Sequence, residues 1–184
     1  MLRLHLLALP LLAACAALPP QESASLPRDA VIGAGDPTRS AVITTSAVFG
    51  DRQPAVGRPA EAARAIAQME FLALDLPRNT SFSGASPTLA PQLNTARAEW
   101  RAALGIAPGA PAQPIINALY AAGRALDMGE RDAAAAALPP AIFQRGGAAT
   151  LTQLAALPSL PRTGEASATA QQALRSGNPA GVRL

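Results

Sequence analysis

Chemistry-bearing side chains are few in this sequence. There is one His, His5, one Cys, Cys15, one Tyr, Tyr120, one Trp, Trp100, and no Lys. Beyond position 15 the chain therefore offers no imidazole, no free thiol and no lysine amine. Those gaps exclude Ser-His-Asp and Cys-His catalysis, His-ligated or thiolate metal sites, Schiff bases and Ser-Lys dyads in that part of the chain. Carboxylate, arginine and tyrosine chemistry remain. Paired carboxylates can run a glycosidase, but such clefts are usually rich in aromatics, which make up only 3% of this chain. The carboxylate that stands out is Glu70, set between Met69 and Phe71 in an apolar run. It reads either as a catalytic or ligand carboxylate, or as the structural partner of an Arg on a neighbouring helix. Arg97 and Arg101, one helical turn apart, either pair with it across the helices or stay solvated, and Glu70 with Arg97 is the candidate structural ion pair. No catalytic residue, cofactor or metal ligand is assigned, and the expected role is non-enzymatic.

The first fifteen residues carry a different chemistry. Arg3 and the amino terminus form a short positive region, and Leu4 to Ala14 form a mostly apolar one, as in a cleaved export signal. This run is too short for a transmembrane helix, which needs about 20 apolar residues. Leu12-Ala13-Ala14-Cys15 resembles the lipobox of bacterial lipoproteins, in which the cysteine receives a diacylglyceryl thioether before cleavage ahead of it. The resemblance implies lipid attachment at Cys15 and residence on the periplasmic face of the outer membrane, because Ala16 does not match the Asp that retains many such proteins at the inner membrane. Each buried methylene of an acyl chain contributes about 0.8 kcal/mol, and two chains already give stable anchoring. Ala14-Cys15-Ala16 also fits the small-x-small pattern of ordinary signal peptidase, and cleavage there would release a soluble periplasmic or secreted protein.

Four segments follow from this reading: a signal peptide at 1–14, a lipidated N-terminus and flexible Pro- and Ser-rich tether at 15–35, a helical domain at 36–176, and a disordered tail at 177–184. Fully extended, about twenty tether residues at ~3.3 Å each reach at most ~65 Å. All 15 basic residues are Arg, against 12 Asp and Glu, for a net charge of +3. They are scattered singly, whereas nucleic-acid binders cluster them on one face, so no nucleic-acid partner is expected. The oligomeric state is left open.

Helix starts and stops dominate the body. Asp36-Pro37 reads as a cap and first turn, with Gly50 as a stop, although the β-branched run Val42 to Thr45 also suits a strand. Pro59 opens a second helix whose expected buried face is Ala62, Ile66, Met69, Ala73 and Leu76. A helix from about Pro91 to Leu104 carries Trp100 as its largest core candidate and ends at Gly105. Another runs from Gln113-Pro114 to about Met128, followed by an Ala-rich one over 130–138. In Ala118, Ala122, Gly129, Ala134 and Leu138 this pair resembles a single tetratricopeptide hairpin, without the large aromatic positions or a 34-residue repeat, and it implies only antiparallel pairing. Thr150 and Gln153 read as a capping box before Leu151, Leu154 and Leu157. The last segment, 164–176, has Leu174 as its only large apolar side chain.

The expected fold is all-α, a compact bundle of about five to six helices after a flexible tether. The expected function is that of a lipid-anchored interaction or assembly module of the cell envelope. The alternative is a helical binder of a small apolar or lipidic ligand, held among Ile66, Phe71, Trp100 and Leu119.

Overall fold

The computed structural model describes residues 21–31, 35–50, 55–82 and 85–176. The signal segment 1–14, Cys15 and the tail 177–184 lie outside the described residues. Among the described residues there are seven α-helices, two short 3-10 turns and no strand, so the chain is an all-α bundle. No described helix is long and apolar enough to cross a membrane.

Helix α1 spans Pro37–Phe49 and is a helix despite its β-branched residues. The Asp36 carboxylate accepts from the Thr38 backbone N–H at 2.9 Å, which satisfies one of the orphan donors of the first turn. Thr45 and Ser46 donate their hydroxyls back to the carbonyls of Ala41 and Ile43, so these polar groups are satisfied inside the helix. Val42, Thr45, Ser46 and Phe49 then form one buried stripe. At the other end of α1, the Thr38 hydroxyl donates to Asp75 at 2.8 Å and fastens the start of α1 to the end of α2.

Helix α2, Pro59–Asp75, is the centre of the bundle and packs against α1, α3 and α4 as well as α6, the Gly147–Ala155 helix. The expected single apolar face is too narrow a description. Every residue from Ala65 to Ala73 is buried, Gln68 and Glu70 included, as befits a helix with neighbours all round. Helix α3, Leu89–Leu104, buries Leu93, Ala96, Trp100 and Leu104, and ends where Gly105 takes a φ of 64°. The Ile106 N–H reaches the Arg101 carbonyl at 2.8 Å, closing a Schellman-type cap. Helix α4, Ala112–Asp127, buries Ile115, Ile116, Leu119 and Tyr120 against the centre. Helix α5, Arg131–Ala136, is a short turn and a half, and the hairpin likeness extends no further than its packing on α4.

One expectation at the C-terminal side is corrected. Helix α6, Gly147–Ala155, begins three residues before Thr150, so Thr150 is not its cap. Its side chain is buried and donates to the Gly146 carbonyl at 2.9 Å from inside the first turn. Helix α7, Pro161–Ser176, is well packed in spite of its lack of large apolar residues. Thr163, Ala166, Ser167, Ala170 and Ala173 form its buried face, and small side chains let it approach α1 and α3 closely. A Cβ on Gly164 would lie only 3.0 Å from the Phe49 carbonyl oxygen.

Close backbone approach recurs at Gly147, where an added Cβ would overlap the carbonyl of Ala135 in α5. That atom is backbone and cannot swing aside. Gly147→Ala is expected to destabilise the protein by about 1–3 kcal/mol through overpacking. Urea denaturation measures this, and an unchanged midpoint would contradict the α5–α6 packing described here.

Candidate functional site

Glu70 lies midway along α2, where every neighbouring turn is covered, and its side chain is 0% exposed. A buried carboxylate costs several kcal/mol in lost hydration unless donors replace the water. Here four N–H groups do so. Oε1 accepts from Trp100 Nε1 at 2.8 Å and Arg101 Nε at 2.7 Å. Oε2 accepts from Arg97 Nε at 3.0 Å and Arg101 Nη2 at 2.8 Å. The helical spacing explains the set, because positions 97, 100 and 101 fall on one face of α3, turned toward α2. The pairing of Glu70 with Arg97 anticipated from the sequence is present, but Arg101 grips the carboxylate more fully, with two parallel bonds of the fork-to-fork kind.

The two guanidinium groups pass the contact outward. Arg101 Nη1 donates to the carbonyls of Pro108 and Ala110 at 3.3 and 3.0 Å, which fixes the loop between α3 and α4. Arg97 donates through Nη1 and Nη2 to Glu22 Oε2, each at 3.2 Å. The other Glu22 oxygen accepts from the backbone N–H of Ala112 at 2.6 Å. Ala112 is the first residue of α4, and no side chain next to it caps that helix. Glu22 therefore supplies an anionic cap to the positive end of α4 from 90 residues away.

Residues 21–31, expected to belong to a flexible tether, run along α4 instead. After Glu22, Ser25 and Gln113 exchange two bonds, with Ser25 N donating to Gln113 Oε1 at 2.7 Å and Gln113 Nε2 donating to the Ser25 carbonyl at 3.1 Å. Asp29 then accepts from Arg124 at 2.7 Å in the last turn of α4. Ala24 and Leu26 pack on the core and Ala30 is buried. The segment is a strap held at three points. Its Pro and Ser content hid it in the sequence; the one periodic trace is that partly buried Glu22, Ala24 and Leu26 alternate with exposed Gln21, Ser23 and Ser25.

Partial burial raises the pKa of Glu22, but the Ala112 N–H and the Arg97 guanidinium outweigh it and hold the carboxyl below its ordinary value. The hydrogen bond from Arg124 likewise lowers that of Asp29. Tyr120 is 1% exposed, and burial raises its pKa, so it stays a neutral phenol; Gln68 Nε2 donates to its oxygen at 3.2 Å.

With four donors on its two oxygens, Glu70 keeps no free lone pair for a substrate. The cluster thus joins α2, α3, the α3–α4 loop, the strap and the start of α4. Ile66, Trp100 and Leu119 are fully buried and Phe71 is 6% exposed, all within one core cluster. Two surface grooves are lined by other residues. One, of about 300 Å³, lies among Leu76, Asn79, Phe82 and Leu89, and the other, of about 540 Å³, lies among Thr88, Gln92, Thr95, Arg162 and Glu165. Among the described residues no group of three or more His, Cys, Asp or Glu is placed to hold a metal ion.

Two outcomes follow from the cluster. Glu70→Gln leaves the largely buried Arg101 guanidinium without an anion and Arg97 with Glu22 alone, and is expected to cost about 3–5 kcal/mol, read from the urea midpoint. Retention of wild-type stability would contradict the role given to the carboxylate. For Glu22, a pKa lowered on folding means that its contribution is complete above the ordinary carboxylate range and is lost as the pH falls through the folded-state value. The stability gap between wild type and Glu22→Gln should therefore be constant near neutrality and narrow in acid. A gap that widens in acid would contradict it. No family model matches the chain, and no curated protein or solved structure matches it.

Proposed function

We propose that this chain is a lipid-anchored helical module on the periplasmic face of the outer membrane, acting as a non-enzymatic interaction or assembly protein of the cell envelope. The observation that carries the reading is Leu12-Ala13-Ala14-Cys15 at the end of a short apolar run. An acyl anchor is consistent with a body whose described helices are all too short or too polar to cross a bilayer. The body also suits a binding scaffold: its chemistry-bearing side chains are engaged with one another, Glu70 with Arg97, Arg101 and Trp100, and Tyr120 with Gln68. The partner in this reading is another envelope component, met through the helical surface.

The alternative, a carrier of a small apolar ligand among Ile66, Phe71, Trp100 and Leu119, draws no support from side chains that already fill the core. Mass spectrometry of the mature N-terminus tests the anchor. An acylated Cys15 is the expected result, and an unmodified terminus at Ala17 would overturn it. For the interaction role, affinity purification of the tagged protein from envelopes in mild detergent should recover a reproducible partner, and repeated failure to do so counts against it.

A further inference from the structure

The strap at 21–31 is fixed to the body at Glu22, far ahead of the first helix. Its hold does not rest on one contact: the Glu22 carboxylate bridges Arg97 and the Ala112 N–H, Gln113 takes Ser25, and Arg124 takes Asp29. Ala24 and Leu26 add apolar packing between the polar points, and Ala30 is buried just past the last of them. For a chain attached at its N-terminal side, Glu22 is consequently the first described residue held on the bundle.

We infer that the docked strap is a clasp that sets how far the helical body stands from the membrane. The inference rests on the lipid attachment at Cys15 proposed above. From Cys15 to Glu22 there are seven residue steps, which at ~3.3 Å each span at most about 23 Å. Were the body first held at Asp36, the cap of α1, the same lipid would allow about 70 Å. The clasp thus shortens the reach about threefold and brings the α4 N-terminus and the α3–α4 loop toward the headgroups. A partner engaged by this protein is then one that lies at the membrane surface, not one deep in the aqueous compartment.

Trp100 provides a built-in reporter, since it is the chain's one Trp and donates to the Glu70 carboxylate that also holds Arg97. The test uses the acylated full-length chain on vesicles and measures energy transfer from Trp100 to an acceptor on the lipid headgroup. A flexible Gly/Ser insertion is placed either after Gln21, ahead of the clasp, or after Gly33, behind it. Neither position alters a contact named above. An insertion of about ten residues has an r.m.s. span of about 17 Å, so ahead of the clasp it is expected to lower transfer about twofold or more. Behind the clasp it is expected to leave transfer at the wild-type level. Equal responses to the two insertions, whether both lower transfer or neither does, overturn the clasp. Flotation of the same vesicles separates this from failure of the anchor: a chain that does not float removes the lipid attachment and the clasp together, whereas a floating chain with equal responses removes the clasp alone.

Discussion

A carboxylate with no access to water must find its hydrogen bonds inside the protein, and in this bundle that requirement falls on Glu70. Its position in the middle of α2 makes the demand unavoidable, because α1, α3, α4 and α6 all pack on that helix. Arg97, Trp100 and Arg101 answer it from one face of α3. The geometry of that answer fixes more than two helices. An arginine held by one edge still has donors to spare, and those of Arg101 organise the next loop while those of Arg97 organise the strap. Glu22 continues the chain of contacts to the first backbone N–H of α4, at the buried Ala112. A 2:2 set of Glu22, Glu70, Arg97 and Arg101 leaves no net charge in the cluster. Buried ionic groups of this kind often stabilise less than an apolar replacement of equal volume would, but they tolerate few alternative partners. For an Ala-rich bundle, whose small side chains can slide past one another, that selectivity fixes the register of α2 against α3.

Remote capping is the second device in the fold. Glu22 serves α4, and Glu99 of α3 serves α7, accepting from the N–H groups of Arg162 and Thr163 at 3.2 and 2.8 Å. In both cases an anion from elsewhere in the sequence meets the positive end of a helix dipole. The caps thus act as tertiary contacts, and α7, which has few large apolar residues, gains a fixed position from its own. Helix α7 illustrates the combination: Gly164 permits contact with the Phe49 carbonyl, Ala166 and Ala170 permit close packing, and Glu99 sets its start.

How much of this could be read from the sequence depended on whether the cause was local. The bounds of α1 were legible in Asp36, Pro37 and Gly50, and the end of α3 in Gly105, because caps and stops act within one turn. The fate of Glu70 was legible because an acid between Met69 and Phe71 and two arginines one turn apart have a mutual electrostatic need. The strap was not, since Pro19-Pro20, Ser23 and Pro27 look like a spacer unless the partner surface of α4 is known. Nor was the order of α7, where the decisive atoms are a neighbour's backbone and the Glu99 carboxylate. Thr150 misled for a related reason: a threonine near a helix start suits a cap or a back-bond to the preceding turn, and only burial chooses between them.

The measurement that bears most directly on this account is a double-mutant cycle between Glu70 and Glu22, which share Arg97 as an ion-pair partner. Urea denaturation of Glu70→Gln, Glu22→Gln and the double variant gives the coupling. A connected cluster predicts non-additivity of about 0.5 kcal/mol or more. Additive costs would contradict it, and would leave the strap and the buried carboxylate as two independent features.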